Sequence, residues 1–186
     1  IPKSEQSVIE KKLIEIAKEY TTGNPEDSST KLGPLASLRQ YEKVKSYIES
    51  GLQEGARLLY GTVPENSNNG YYISPTIFTC VTSEMSIARD EIFGPVLCVF
   101  PYETEEEAIR IANDTRYGLN AGVYGEKEKA IAVAKKIEAG NIYINASPRD
   151  TSAPFGGYKQ SGLGREGGIY GMIEFTQQKA LFDTGK

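Results

Sequence analysis

Glu91-Ile92-Phe93 is the first stretch of the sequence whose residue types could bind a ligand. A carboxylate can accept hydrogen bonds from both hydroxyls of a sugar diol, and in extended chain Phe93 would point to the same side as Glu91. The alternative is that Glu91 is a solvated charge at the start of a strand and that Phe93 belongs to the core, since most charged residues are simply exposed. The residues alone favour the second interpretation.

The second stretch is the loop from Asn145 to Gly171, which includes Pro154-Phe155-Gly156-Gly157. It follows a predicted strand, and loops at the carboxyl ends of parallel strands are where α/β sheets place ligands. A surface loop whose glycines only serve turns is equally compatible with these residues.

Residues Gly162 to Gly167 match the pattern G-x-G-x-x-G. That motif binds a pyrophosphate only between a strand and the helix that it feeds, with an acidic residue about 20 positions later. Here the pattern lies inside a longer glycine-rich loop, and the rest of a nucleotide-binding half is missing. We therefore disfavour a dinucleotide fingerprint.

The sequence has no histidine, which excludes histidine metal sites, Ser/His/Asp triads and histidine general bases. We predict no metal site. The two cysteines, Cys80 and Cys98, are too few for a disulfide framework and lie in apolar, strand-like runs. We expect both to be buried, inert thiols, as suits a reducing cytoplasm.

The charges exclude two classes of partner. The 21 basic and 25 acidic residues give a net charge of −4 and are interspersed, so we expect neither nucleic acid nor an anionic membrane as a partner. The longest apolar runs are far shorter than the ~20 residues that a membrane span needs. With no signal segment at Ile1, the prediction is a soluble, cytoplasmic protein.

Hydrophobic periodicity predicts alternating helices and strands. Capping-box patterns begin at Ser37 and Thr104, and a helical stripe at Ala130, Val133, Ala134 and Ile137 ends at Gly140. The predicted helices are 5–20, 37–51, 104–113 and 130–140; the predicted strands are 57–60, 72–80, 94–102, 119–124, 141–145 and 173–182; residues 66–70 form a polar turn. This order predicts βαβ units in a single α/β domain, residues 1–186, with a Rossmann-like parallel sheet in three layers.

Three motifs carry a family resemblance. Residues 91–95, 113–119 and 154–166 resemble, in order and spacing, motifs of the NAD(P)-dependent aldehyde dehydrogenase superfamily, and residues 23–25 and 33–35 also fit. The resemblance covers essentially the whole chain. It implies that the chain is the C-terminal part of that family's catalytic domain.

The resemblance also implies site residues and a cofactor, NAD or NADP. Glu91 would hold the nicotinamide ribose, with Phe93 packed beside it. Gln40 and Lys43, which share a helical face, match positions that approach the same ribose. The aldehyde tunnel would be lined by Ser147, Pro148, Arg149 and Phe155.

The implied reaction oxidises an aldehyde to a carboxylic acid. In that family a cysteine thiolate attacks the aldehyde, hydride passes to the nicotinamide, and a glutamate-activated water hydrolyses the thioester. The resemblance places the cysteine shortly before the position of Ile1, with the glutamate, an oxyanion-stabilising asparagine and the dinucleotide-binding domain further upstream. We therefore expect this chain to contain no catalytic residue and to be inactive alone.

Two other hypotheses stay open. The chain could be a non-catalytic homologue that serves assembly, which the coding sequence just before Ile1 would test. It could also be a self-contained dinucleotide-binding domain that uses Gly162 to Gly167, which requires tight NADH binding by the chain alone. Unpaired edges of strands 141–145 and 173–182 predict a homo-oligomer joined through sheet edges.

Overall fold

The computed structural model describes residues 1–65 and 70–185, which form two compact units, Ile1–Asp114 and Thr115–Lys186. Most of the predicted polar turn at 66–70 lies outside the described residues. The single domain stays a prediction, and each unit is described by itself.

The first unit contains a three-stranded sheet with helices. Its elements are a 3-10 turn Lys3–Glu5, α1 (Gln6–Lys18), α2 (Leu38–Gln53), β1 (Arg57–Tyr60), β2 (Thr76–Thr79), α3 (Ser86–Arg89), β3 (Val96–Cys98) and α4 (Glu105–Asn113). The strand order is β1-β2-β3. β1 is antiparallel to β2, and β2 is parallel to β3. The predicted parallel sheet is thus mixed in this unit.

Helix α2 forms one wall of the core of this unit. Tyr41, Val44 and Ile48 recur at helical spacing, are buried, and pack in one cluster with Phe78 of β2. Burying one such side chain contributes roughly 1.5–3 kcal/mol. The helix begins where predicted, because the Ser37 hydroxyl accepts a hydrogen bond from the Gln40 amide at 3.2 Å.

A buried carboxylate joins α1 to the sheet. Glu10 is only 9% exposed. Its Oε1 accepts hydrogen bonds from Thr79 Oγ1 at 2.6 Å and from Gln6 Nε2 at 2.7 Å. Its Oε2 lies 3.1 Å from Nη2 of Arg57 in β1. The hydrogen bonds from these partners offset the cost of removing the Glu10 charge from water. They therefore fix α1 against β1 and β2.

This network predicts an acid-sensitive contribution to stability. Burial alone raises the pKa of the Glu10 carboxyl. The hydrogen bonds from Thr79, Gln6 and Arg57, together with the Arg57 charge, lower the pKa by more than burial raises it, so the net pKa is depressed. A depressed pKa gives stability that is present above the unfolded pKa of about 4.3 and is lost as pH falls through the folded pKa. Urea unfolding at pH 7 should show a loss of about 1–3 kcal/mol for Glu10→Gln.

The matched control is Glu15→Gln, at an exposed position of the same helix. It should leave both the urea midpoint and its pH dependence close to those of the wild type. If Glu10→Gln and Glu15→Gln lose stability equally between neutral and acid pH, the network does not carry this effect.

The second unit contains two small sheets. Its elements are β4 (Tyr117–Gly118), β5 (Asn120–Val123), α5 (Lys127–Ala134), β6 (Asn141–Ile144), β7 (Tyr158–Lys159) and α6 (Gly168–Ile173). β5 and β6 pair in parallel across α5, which confirms the predicted βαβ unit. β4 pairs antiparallel with β7.

Several predicted elements end earlier in the structure. The predicted strand 72–80 shortens to β2 because Pro75 has no amide hydrogen and Cys80 has a φ of 57°. The predicted strand 94–102 similarly pairs as β3 only over Val96–Cys98. Helix α5 ends at Ala134, so Ile137 of the predicted stripe follows the helix.

The predicted strand 173–182 is wrong. Residues up to Ile173 belong to α6, and residues 174–185 form neither helix nor strand. Alternating side chains do not make a strand unless a neighbouring strand accepts its backbone hydrogen bonds, and the described part of the chain provides none here. Within residues 1–65 and 70–185 no helix combines the length and apolar character that crossing a membrane requires.

Candidate cofactor and substrate sites

Glu91 and Phe93 lie in the loop between α3 and β3. This corrects the expectation that Glu91 starts a strand. Phe93 has a φ of 58°, so the chain is not extended there and the alternation argument for their side chains does not apply. Glu91 is exposed and the Phe93 ring is 72% exposed, so Phe93 is not a core residue. Both side chains are nevertheless presented at the surface.

One face of α2 holds this loop residue by residue. Gln40 Nε2 donates to the carbonyl oxygens of Ile92 at 3.1 Å and Phe93 at 2.8 Å. Lys43 Nζ donates to the Glu91 carbonyl at 2.8 Å. We call Gln40, Lys43 and Tyr47 the α2 clamp, because the Tyr47 hydroxyl also donates to the Asp90 carboxylate at 3.0 Å. The four site residues predicted in this unit are therefore brought together.

Ile92 and Gly94 pack the loop against Val44 of α2. The Ile92 side chain is buried in the same core cluster as Val44 of α2. A Cβ atom on Gly94 would lie 2.6 Å from Cγ2 of Val44, closer than real Cβ contacts allow. Glycine at this position of the Glu91–Pro95 motif therefore lets the loop lie against the helix.

The Glu91 carboxylate has no hydrogen bond or ion pair to another described residue, whereas its main chain is tethered. An exposed carboxylate can accept two hydrogen bonds from neighbouring hydroxyls, and an exposed ring can pack on a planar group. The loop can therefore bind a sugar diol that carries a flat ring.

Three of the four predicted tunnel residues line one cavity of the second unit. Ser147, Pro148 and Arg149 line a cavity of about 320 Å³ together with strand β6 and Asp150. The guanidinium carbon of Arg149 lies 4.1 Å from the centre of the Phe155 ring. All four predicted residues are thus grouped in this unit.

A sharp turn after β6 places these residues. Asn145 and Ala146 have φ values of 50° and 57°. Asparagine tolerates this left-handed conformation better than most residues. The Asn145 side-chain amide exchanges two hydrogen bonds of 2.9 Å with the backbone of Gly125. The turn directs the chain from the end of β6 into Ser147.

The other two sequence motifs contact each other. β4 of the 113–119 motif pairs with β7 of the 154–166 motif. The Gly118 amide donates to Ser161 Oγ at 3.0 Å, and Lys159 Nζ lies 2.7 Å from the Glu138 carboxylate. Gly162 to Gly167 lie between β7 and α6, a helix of only six residues. The β4–β7 pairing and the hydrogen bond from Gly118 to Ser161 hold the segment that follows the cavity residues in the sequence.

The two cysteines differ in their exposure. Burial raises the pKa of the Cys98 thiol to about 11, and its Sγ lies 3.4 Å from the Ile87 carbonyl. Cys80 is exposed, which corrects its predicted burial: β2 ends at Thr79 and the left-handed turn directs the next side chain outward. Within the described residues no cluster of three acidic or cysteine side chains could hold a metal ion.

The structure is that of an α/β protein with an exposed carboxylate and an exposed ring on one loop and with a loop-lined cavity in the second unit. Residues 1–181 match the model of the aldehyde dehydrogenase family. The chain belongs to the aldehyde dehydrogenase family. Its relatives include 3-succinoylsemialdehyde-pyridine dehydrogenase of a Pseudomonas species, 48% identical over 97% of this chain and 39% of that protein. A putative aldehyde dehydrogenase of Staphylococcus saprophyticus is 51% identical over 86% of this chain and 34% of that protein.

Solved structures confirm the predicted α/β, Rossmann-like fold class. The aldehyde dehydrogenase of Mycobacterium tuberculosis complexed with NAD⁺ has a TM-score of 0.93 at 44% identity and covers 100% of this chain and 39% of that one. A mutant of aldehyde dehydrogenase C from Pseudomonas syringae with NAD⁺ and octanal has a TM-score of 0.89 at 43% identity, over 94% and 36%. The chain thus spans well under half the length of these relatives.

Proposed function

We propose that this chain forms part of an enzyme that oxidises an aldehyde to a carboxylic acid with NAD or NADP. The observation that carries the proposal is the pair of exposed side chains, Glu91 and Phe93, on a loop held by α2. Membership of the aldehyde dehydrogenase family supports it. NAD⁺ in the related M. tuberculosis structure supports the choice of cofactor.

The residues present fit the nicotinamide half of that cofactor. Glu91 would accept hydrogen bonds from the two ribose hydroxyls, because its carboxylate is exposed and has no partner among the described residues. The Phe93 ring would pack beside the nicotinamide and exclude water from one side of it. When bound, the cofactor supplies a hydride acceptor. Binding by Glu91 would fix where that acceptor lies, which is the positioning contribution of this chain.

The cavity in the second unit is our candidate for part of the aldehyde tunnel. Ser147 and Pro148 line it, and Arg149 is packed on the Phe155 ring. The Arg149 guanidinium packs on the face of the Phe155 ring as a cation–π pair. We propose that these four residues contact the aldehyde. The Pseudomonas syringae relative bound to octanal supports an aldehyde ligand.

The covalent chemistry belongs to residues that we propose lie elsewhere in a longer polypeptide. Thioester formation needs an activated thiolate. Cys98 is a poor candidate because burial raises the pKa of its thiol to about 11. Cys80 directly follows β2 and does not match the position of the family's nucleophile.

The direct experiment is a steady-state assay of the full-length protein with a series of aldehydes and either NAD⁺ or NADP⁺. We expect saturable formation of reduced nicotinamide that depends on both substrates. Absence of any aldehyde-dependent reduction, in a protein shown to be folded by circular dichroism, would refute the proposal and favour a non-catalytic assembly module.

We also propose a cytoplasmic location and a homo-oligomer. Both cysteines are free, as suits a reducing compartment. Strand β6 pairs only with β5 in the described part of the chain, which leaves one edge open. Later in the sequence, residues 163–182 expose several large apolar side chains, with Phe182 96% exposed. Edges and apolar patches of this kind are covered by partners in stable proteins.

Light scattering of the full-length protein should therefore give a mass of a dimer or larger at micromolar concentration. Phe182→Ser should weaken the association, with Val8→Ser on α1, also an exposed apolar residue, as the control. A strictly monomeric wild-type protein would contradict this prediction.

A further inference from the structure

The cavity of the second unit is lined by a cation that has no acceptor in the protein. The Arg149 guanidinium carries several N–H donors in one plane. Within residues 1–65 and 70–185 its side chain makes no hydrogen bond and no ion pair. Donors that line a cavity and have no protein acceptor are available to a ligand with negatively charged oxygens.

The Phe155 ring fixes where this guanidinium lies. The guanidinium carbon is 4.1 Å from the ring centre, within the range of a cation–π contact. The backbone of Phe155 exchanges two hydrogen bonds of 2.7 Å with Glu166, so the ring stands on a fixed part of the loop. An aromatic face is at most a weak hydrogen-bond acceptor, so the contact orients Arg149 and leaves its donors for a stronger partner.

Asp150 is the other charged residue that lines the cavity, and it is used differently. Its Oδ1 accepts hydrogen bonds from the Ser152 hydroxyl at 2.7 Å and from the Ser152 amide at 2.9 Å. These bonds lower the pKa of the Asp150 carboxyl and close a tight turn. The carboxylate thus has a structural partner and the guanidinium has none, so the cavity favours an anionic ligand over a cationic one.

The rest of the lining suits a short carbon chain. The cavity of about 320 Å³ lies at the small end of ligand sites, which span roughly 300–1,000 Å³. The Asn141 amide nitrogen is occupied by the carbonyls of Leu119 and Gly156. The other lining residues include four with apolar side chains, Ile142, Pro148, Ala153 and Pro154. The cavity therefore combines a short apolar path with one available cation.

We propose that the aldehyde is a short semialdehyde, with a carboxylate at the end opposite to the aldehyde group, and that Arg149 binds this carboxylate. A planar guanidinium matches a carboxylate through paired N–H donors. The inference rests on the proposed function for its reaction, but the carboxylate site does not depend on turnover. The oxidation product would be a dicarboxylic acid.

The first test compares three aldehydes of similar length with the full-length protein: succinic semialdehyde, its neutral methyl ester, and aminobutyraldehyde, which carries a cation. The wild type should have the largest kcat/KM for the semialdehyde. Arg149→Gln should lower the ratio of semialdehyde to ester by at least roughly tenfold, the factor expected for one charge-assisted hydrogen bond. The loss should fall mainly on KM, because the distant carboxylate is bound equally in the ground and transition states.

Arg116→Gln is the matched control. It removes the same charge from an exposed position of the same unit, where the guanidinium carbon lies 5.5 Å from the centre of the Tyr117 ring. It should leave the semialdehyde-to-ester ratio unchanged. An unchanged ratio in Arg149→Gln would overturn the proposal. A wild type that prefers aminobutyraldehyde, with the preference lost in Asp150→Asn, would also overturn it in favour of a cationic substrate.

The second test needs no turnover. Phenylglyoxal modifies accessible arginine side chains, and mass spectrometry of the full-length protein locates the modified residues. Succinate should slow the modification of Arg149 several-fold and leave that of Arg116 unaltered, whereas uncharged succinamide should protect neither. Equal modification of Arg149 with and without succinate would overturn the proposal.

The two tests separate this inference from the proposed function. If succinate protects Arg149 but the protein oxidises no aldehyde, the proposed function fails and the carboxylate site stands. If the protein oxidises the neutral ester but Arg149→Gln leaves the substrate ratio unchanged, the proposed function stands and the carboxylate site fails.

Discussion

The isolated 186-residue chain is expected to show no aldehyde oxidation with either NAD⁺ or NADP⁺. The reaction needs a nucleophile and a hydride acceptor held together, and aligned reactants gain several kcal/mol over separated ones, typically ~7–11 kcal/mol. This chain offers one exposed thiol, Cys80, outside the motif region, and one whose pKa burial raises to about 11, Cys98. The loss relative to the full-length enzyme should be complete within the limit of detection.

The comparison should use equal molar amounts of the purified chain and the full-length protein, with several aldehydes. Circular dichroism and cooperative urea unfolding would show that the isolated chain is folded, so that inactivity is not unfolding. Cys80→Ser is the matched variant for any residual rate. Saturable turnover by the chain that disappears in Cys80→Ser would contradict our assignment of the nucleophile to another part of the protein.

Glu91→Gln should reduce hydride transfer in the full-length enzyme by roughly ten- to a hundredfold. The substitution keeps the shape of the side chain, removes its charge and converts one acceptor into a donor. A charge-assisted hydrogen bond contributes about 1.5–3 kcal/mol, which corresponds to that factor in kcat/KM. Stopped-flow measurement of reduced nicotinamide would record the effect in the hydride-transfer step itself.

Ester hydrolysis by the same variant is the internal control, because it uses the thiolate and the activated water but transfers no hydride. It should change little. Glu42→Gln, at an exposed position of α2, should leave both activities nearly unaltered. If Glu91 is only a solvated charge, its substitution would shift the free energy of unfolding by about 0.5 kcal/mol or less and would change neither activity. Equal losses in both assays would instead indicate a displaced loop and reject the ribose role.

The four residues that the sequence predicts for a cofactor site in the first unit do lie together, but the sequence did not show how their loop is held. The Ser37-to-Gln40 spacing predicts a capping box, and Ser37 does cap the helix. The Gln40 side chain, however, donates a hydrogen bond to the carbonyl of Ile92, 52 residues away. A local spacing rule cannot show a long-range competitor, so the role of Tyr47 was missed as well, although its position seven residues after Gln40 on the same face is a usable signal.

Strand prediction failed where pairing, and not side-chain pattern, decides the structure. Residues 173–182 alternate as a strand would, but no described neighbour accepts their hydrogen bonds. Cys80 was expected inside a strand and is exposed because the backbone turns left-handed there. Conversely, the βαβ unit from β5 to β6 was predictable, because its connection is short and its helix carries a buried stripe.

The central claim is that Glu91 holds the nicotinamide ribose while α2 holds Glu91. The most direct measurement is a crystal structure of the full-length protein with bound NAD⁺. We predict both ribose hydroxyls within about 2.5–3.2 Å of the Glu91 carboxylate oxygens and the Phe93 ring beside the nicotinamide. A nicotinamide ribose bound elsewhere, with the Glu91 carboxylate facing solvent, would contradict the claim.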